Sequence, residues 1–244
     1  MQKTLRLNKA ISDTGFCSRR EADKIIEQGR VTINEIKGIL GDKVSIEDDI
    51  KIDGKSLKRP EKIIYIAFNK PIGITCTTEL HIKENIINYI NFPQRIFPIG
   101  RLDKASEGLI FLTSDGDIVN KILRAGNNHE KEYLVTVNKF ITDEFIQKMA
   151  NGISILDTVT KKCFVKKESQ FVFRIILTQG LNRQIRRMCS FLNYEVLKLQ
   201  RIRIMNIQLE NIGIGKWRFF TEKEIEEINK LISHSIKTED ASKI

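Results

Sequence analysis

TVTKKCFVKKESQFVFRIILT, residues 158–178, decides the fold class. Residues 158–166 and 171–178 read as β-strands, and Glu168-Ser169-Gln170 between them has room only for a hairpin turn. Strands joined so tightly run antiparallel, because a parallel pair needs a crossover of a dozen residues or more. Outward from this hairpin, further strands are predicted at 63–69, 109–113, 132–137, 195–204 and 213–219. Helices are predicted at 117–124, 142–150, 182–192 and 221–232. The last opens on Thr221-Glu222-Lys223-Glu224, a capping box, and continues with Ile225, Ile228, Leu231 and Ile232 at helical spacing. Strands and helices mix irregularly, which disfavours a doubly wound parallel sheet. The expectation is α+β, with a mixed, mainly antiparallel sheet and flanking helices. Within 195–204 the apolar residues slip from odd (Leu197, Leu199) to even positions (Ile202, Ile204), so a bulge is expected near Gln200.

The front of the chain is built differently. A helix is predicted from Leu5 to Asp13, with Leu7, Ala10 and Ile11 as its apolar stripe, stopping at Gly15. A second opens at Ser18, with Glu21 completing a capping box, and buries Ala22, Ile25 and Ile26 before Gly29. Short alternating stretches follow at Val31/Ile33, Val44/Ile46 and Ile50/Ile52, ahead of an Asp53-Gly54 turn. The expected organisation is a small domain over 1–52, a polar linker over 53–62 and a larger domain over 63–235. Residues 236–244 are expected to fray.

The chain has 244 residues, with 41 Lys+Arg against 31 Asp+Glu, a net charge of +10. This balance points to a polyanionic partner. Seven of the basic residues lie in the first thirty positions: Lys3, Arg6, Lys9, Arg19, Arg20, Lys24 and Arg30. A second cluster comprises Arg183, Arg186, Arg187, Lys198, Arg201 and Arg203, with Glu195 the sole acid in that stretch, and Lys161, Lys162, Lys166 and Lys167 precede it. Cys17, Cys76, Cys163 and Cys189 are scattered, as are the histidines, so neither a disulfide framework nor a metal site is expected, and no cofactor motif is seen. The longest clean apolar run, Ile63 to Phe68, is far short of the roughly 20 residues of a membrane span. A cytoplasmic protein is expected, with a monomer as the default.

One acid stands out by its setting. Asp103 sits between Arg101 and Lys104, after a Pro/Gly loop and just before the apolar run Leu109 to Thr113. Cations favour the charged form of a carboxylate, which can then serve as nucleophile or base; a turn aspartate bonded to backbone amides explains the same pattern. On the helix at 182–192, Ile185, Met188, Cys189 and Leu192 form the buried stripe. Arg186 falls at its edge and needs an acid or a phosphate, whereas Arg183 and Arg187 point away, to solvent or RNA.

Arg6-Leu7-Asn8-Lys9, Gly15, Ser18-Arg19-Arg20-Glu21-Ala22 and Gly29-Arg30-Val31 resemble the alpha-L RNA-binding motif. Glu35 departs from it, standing where the family usually has glycine after Asn34. The larger piece resembles the RNA pseudouridine synthases, in the branch of ribosomal enzymes that carry an alpha-L module in front. Lys70-Pro71-Ile72-Gly73 is similar to that branch's opening motif, and Gly100-Arg101-Leu102-Asp103 with Ser106-Glu107-Gly108-Leu109 to its catalytic motif. Lys131-Glu132-Tyr133 and the segment from Gly180 to Arg187 complete the set. Arg124-Ala125-Gly126-Asn127 and the run from His129 to Val135 bring the likeness nearest to synthases of large-subunit ribosomal RNA.

The resemblance implies a cofactor-free isomerisation of uridine. Asp103 would be the nucleophile, paired with Arg186, and Tyr133 would stack on the base. Leu177 or Ile175 would form an apolar floor, Arg101 would fill the space left by a flipped uridine, and Lys70 would lie on the substrate side. Arg6, Lys9, Arg19, Arg20, Lys24, Arg183, Arg187, Arg201 and Arg203 would grip RNA, with no catalytic role for Arg183. Implied partners are large-subunit ribosomal RNA and, as an option, transfer RNA. The rival readings are a non-enzymatic RNA-binding or assembly factor, and the same chemistry on transfer RNA or small-subunit RNA only.

Overall fold

The computed structural model describes residues 4–124 and 127–235. They fall into two compact units. One is built from the chain up to Ile64 with the segments Phe92–Ile96 and Ser114–Gly116. The other comprises Tyr65–Asn91, Phe97–Thr113 and the chain from Asp117 onward. The tail at 236–244 lies outside the described residues, as do Ala125 and Gly126. Among the described residues, no helix is long and apolar enough to cross a membrane.

The first unit runs β1 (Leu5–Arg6), α1 (Leu7–Asp13), α2 (Arg19–Glu27), β2 (Val31–Ile33), β3 (Ile36–Lys37), β4 (Lys43–Val44), β5 (Ile50–Ile52) and β6 (Lys55–Ser56). The Ser18 hydroxyl accepts from the Glu21 amide while the Glu21 carboxylate accepts from the Ser18 amide, so the predicted capping box starts α2. Leu7, Ala10 and Ile11 from α1 pack on Ala22 and Ile26 from α2, over Val31, Val44 and Ile52. Three local features depart from expectation. Leu5 and Arg6 are strand, pairing with Val44 and Lys43, so α1 begins two residues late. Asn34 (φ 48°) and Glu35 (φ 70°) form a two-residue turn that folds β3 onto β2, in the left-handed conformation that favours glycine. Lys55 and Ser56, read as linker, pair with Ile52 and Lys51, and Leu57 packs against the same core.

The second unit continues with β7 (Tyr65–Lys70), α3 (Ile86–Ile90), β8 (Phe97–Ile99), β9 (Glu107–Thr113), α4 (Gly116–Leu123), β10 (Lys131–Val137), α5 (Asp143–Asn151), β11 (Ser154–Ile155), β12 (Thr158–Val159), β13 (Phe164–Lys167), β14 (Val172–Leu177), α6 (Gln184–Phe191), β15 (Val196–Ile204), β16 (Ile207–Gln208), β17 (Trp217–Phe219) and α7 (Glu222–Leu231). Its main sheet has the order β13-β14-β10-β15-β9-β7-β17, with β8 pairing β9 and β16 pairing β15. Along that path β15 and β9 are parallel and the other pairs antiparallel, giving the expected mixed, mainly antiparallel α+β sheet.

The hairpin predicted around Glu168-Ser169-Gln170 forms as β13 and β14, its turn closed by the Glu168 and Ser169 amides donating to the Val172 carbonyl. The predicted strand at 158–166 is broken, however. Thr158 and Val159 instead pair with Ser154 and Ile155 in a separate hairpin, across Leu156 and Asp157 at positive φ.

Strand β15 carries two irregularities rather than one near Gln200. Against β10, Glu132 pairs with Arg203 but Tyr133 with Arg201, leaving Ile202 as the extra residue. Thr136 pairs with Lys198 but Val137 with Val196, leaving Leu197 as the other. A bulge reverses the alternation of a strand, and this explains why the apolar positions slip.

Candidate active site

Asp103 lies in the turn between β8 and β9, where its carbonyl accepts the Ser106 amide at 3.0 Å. Two local features build this turn. Gly100, at φ +80°, packs so closely on α4 that a Cβ would stand 2.7 Å from the Leu123 side chain. The amide of buried Leu102 donates to Cys76 Sγ at 3.4 Å. The Asp103 carboxylate, about one-third exposed, lines a cleft of about 720 Å³ together with Arg101, Lys131, Tyr133, Leu177, Arg183, Arg186 and Arg201.

Two guanidinium groups approach one carboxylate oxygen. Arg186 Nε and Arg183 Nη1 each stand 3.8 Å from Asp103 Oδ2. Arg186 is fixed by its other nitrogens: Nη1 donates to the Val196 carbonyl at 3.1 Å, and Nη2 to the Ala105 carbonyl at 3.0 Å and Ser106 Oγ at 3.2 Å. Its Nε is buried without a hydrogen-bond partner, aimed at Asp103. Burial and the neighbouring Arg183 charge lower the Arg186 pKa, against the opposing pull of Asp103. Arg183 was expected to point away from the buried face. It is instead the residue before α6, held at φ 50°, ψ 35°, and this backbone turns it towards Asp103. Arg187 stays exposed and bonds back to Asn182.

The wall opposite comes from the sheet. Lys131 and Tyr133, two apart on β10, share a face, with Leu177 and Ile175 opposite them on β14. Leu177 reaches the cleft, whereas Ile175 is fully buried and does not line it. Tyr133 is largely buried, its ring 5.9 Å from the Arg201 guanidinium. Lys131 Nζ donates to the His129 carbonyl at 2.9 Å. Burial, with the Arg201 charge beside it, pulls this ammonium down to about 8. Lys131 was not singled out as a site residue from sequence; its place two residues before Tyr133 on the same strand was the available signal.

Three expected positions differ. Lys70 is fully buried, with Nζ donating to the Pro71 carbonyl at 2.8 Å and the Ile74 carbonyl at 2.9 Å. It braces the loop after β7 rather than facing substrate, and burial lowers its pKa. Arg201, expected on an RNA-gripping surface, is 4% exposed, and its Nε donates to the Leu109 carbonyl at 2.6 Å. Arg203 is committed to acids of β10 and the loop before it: Nε donates to Glu132 at 2.5 Å and Nη2 to Glu130 at 2.8 Å. Glu132 also holds Arg174 of β14. In the first unit, Arg6, Arg19, Arg20 and Lys24 are exposed, and Lys9 is partly buried and paired with Asp13 at 2.7 Å.

Comparison with known proteins places this geometry. Residues 64–191 match the RNA pseudouridylate synthase family, and residues 5–50, within the expected front module, match the S4 domain. The chain is 59% identical to the dual-specificity RNA pseudouridine synthase RluF of Salmonella typhi, over 94% of this chain and 80% of that one. It is 31% identical to ribosomal large subunit pseudouridine synthase B of Bacillus subtilis (strain 168), over 94% and 97%. A crystal structure of a pseudouridylate synthase superposes with a TM-score of 0.67 at 29% identity, covering 92% of this chain and 99% of that one. The chain therefore belongs to the RNA pseudouridine synthases, isomerases that act on RNA.

Proposed function

We propose that this protein converts a specific uridine of large-subunit (23S) ribosomal RNA to pseudouridine in the cytoplasm, with Asp103 as nucleophile, and takes a transfer RNA uridine as a second substrate. The observation that carries the reading is the partly exposed Asp103 carboxylate, set in a cleft with Arg186 Nε aimed at it. The glycosidic bond between N1 of the base and the sugar breaks, the base turns, and C5 is joined to the sugar. C5 gives up one proton and N1 gains one, so the product is an isomer of the substrate. In this scheme Asp103 attacks the base or the sugar carbon, and the bond it forms is broken again before the product leaves; Arg186 holds it by charge and geometry, Tyr133 stacks on the base, and Leu177 supplies the apolar floor. Arg101, exposed beside Asp103, fills the space that the flipped nucleotide leaves.

Support for the large-subunit target comes from the name of the Bacillus relative, and support for two classes of RNA from the dual specificity in the name of the Salmonella one. The front domain, with Arg6, Arg19, Arg20 and Lys24 exposed, grips RNA by phosphate contacts. The test is pseudouridine mapping of ribosomal and transfer RNA from cells with the gene, without it, and carrying Asp103→Asn. One large-subunit site and one transfer RNA site should vanish in both altered strains. An intact large-subunit pattern in the Asp103→Asn strain excludes the nucleophile, and loss of a transfer RNA or small-subunit site alone excludes the proposed target.

A further inference from the structure

Arg183 breaks a local rule. The residue before a helix is best filled by Ser, Thr, Asp, Asn or Gly, whose side chains cap the free amides or whose backbone bends freely. Arg183 caps nothing with its side chain and sits at φ 50°, ψ 35°, a conformation unfavourable for any residue with a Cβ except Asn or Asp. Strain of this kind persists where the surroundings require a side chain at one place. Here that place is Asp103 Oδ2, 3.8 Å from Arg183 Nη1. Arg186 Nε stands equally far from the same oxygen, so two cations share one acid and leave a positive charge over. The two arginines are not equivalent. Arg186 has three hydrogen bonds and a side chain 15% exposed, whereas the Arg183 side chain is 48% exposed and makes no hydrogen bond among the described residues.

We infer that Arg183 bridges Asp103 to a phosphate of the bound RNA strand, so that gripping the backbone also positions the nucleophile. A guanidinium has five N–H donors in a fixed fork, enough to address a carboxylate on one side and a phosphate on the other. The leftover charge at Asp103 is the charge that a phosphodiester would neutralise. The inference deepens the reading of Asp103 as nucleophile and rests on it. It also extends the expectation that Arg183 only grips RNA: Arg183 becomes a positioning residue for the chemical step.

The test uses the full chain with unmodified large-subunit ribosomal RNA transcripts, comparing Arg183→Gly and Arg183→Lys, each alone and combined with Asp103→Asn. Glycine relieves the backbone and removes the cation, so Tm should rise by a few degrees while RNA affinity falls. The slope of log affinity against log salt should shrink by about one in either Asp103 background. In protein with Asp103 intact, kcat should also fall by about tenfold, because the carboxylate has lost a positioning contact. Lysine should restore the salt slope without the gain in Tm, and recover part of kcat. An unchanged salt slope in Arg183→Gly overturns the phosphate contact. An unchanged kcat with only a raised KM overturns the bridge, leaving simple grip, and a lower Tm overturns the account of strain. Full turnover by Asp103→Asn removes the nucleophile and the bridge together. That outcome is recognisable because Arg183→Gly would still flatten the salt slope.

Discussion

Arg186 faces Asp103 through the one guanidinium nitrogen that has no hydrogen bond, Nε to Oδ2 at 3.8 Å, while both terminal nitrogens are anchored to Val196, Ala105 and Ser106. The fork is therefore a bracket, tying α6 to the turn that presents the carboxylate. Lysine preserves the charge but lacks the planar fork and cannot hold both sides at once. We predict that Arg186→Lys lowers kcat about 100-fold, the loss typical of a misplaced catalytic group. The far-ultraviolet circular dichroism spectrum should be unchanged, and single-turnover kinetics would separate the effect from RNA binding.

Gly108 lies where β9 meets β15 in parallel, at φ +108°, and a Cβ there would stand 2.3 Å from the Arg201 carbonyl oxygen. Backbone cannot retreat as a flexible side chain can. Gly108→Ala should destabilise the protein by about 3 kcal/mol or more, combining left-handed strain with overpacking. The check is a lower urea midpoint with an unchanged m-value.

Lys131 carries a pH signature. Its pKa falls from 10.5 to about 8 on burial, so the folded state disfavours the charged form. The penalty is present in full below pH 8, shrinks between pH 8 and 10.5 as the unfolded chain alone retains the proton, and is gone above that range. Lys131→Met should therefore gain up to about 3 kcal/mol of stability at pH 7, the equivalent of that shift, and little at pH 10.5. Paired urea titrations of wild type and variant across this range would show the two curves converging as pH rises.

In the first unit, Glu35 occupies the second left-handed position of the turn between β2 and β3. Its ion pair with Lys51 is solvent-exposed and adds little. Glu35→Gly should remove about 1 kcal/mol of backbone strain. The corresponding result is amide exchange about fivefold slower across β2 and β5, with the second unit unaffected.

What was legible in the sequence was chiefly local. Both capping boxes, Ser18 with Glu21 and Thr221 with Glu224, form as read, because their partners are three residues apart. The β13–β14 hairpin forms for the same reason. Strand β8 was missed because Phe97-Pro98-Ile99 contains a proline, tolerated where β8 adds at the edge of β9. α3 was missed because five residues are too few to show a helical period, and only Asn85, which caps the Asn88 amide, signals its start. At the site, the setting of Asp103 suited a turn aspartate as well as a nucleophile, and its pairing with Arg186 was implied by the resemblance; the structure brings the two within 3.8 Å. Arg203 was misassigned because its partners, Glu130 and Glu132, lie more than seventy residues away in sequence. Arg183 was misdirected because extrapolating the helix back to residue 182 gave it a helical direction, and the observed left-handed backbone cannot be read from a periodicity.

The extra residue at Ile202 has a consequence for how this protein tolerates change in chain length. Arg201 and Arg203 are two apart, so an unbroken strand would send both to the same face. The bulge sends Arg201 towards Tyr133 and the cleft, and Arg203 to Glu132 behind it. Parity along β15, rather than residue identity, thus decides which arginine serves the site and which serves the frame. Deleting one unremarkable isoleucine would leave the two arginines adjacent in a regular strand, still opposite Tyr133 and Glu132, so the chain here can shorten by one residue without the two exchanging roles.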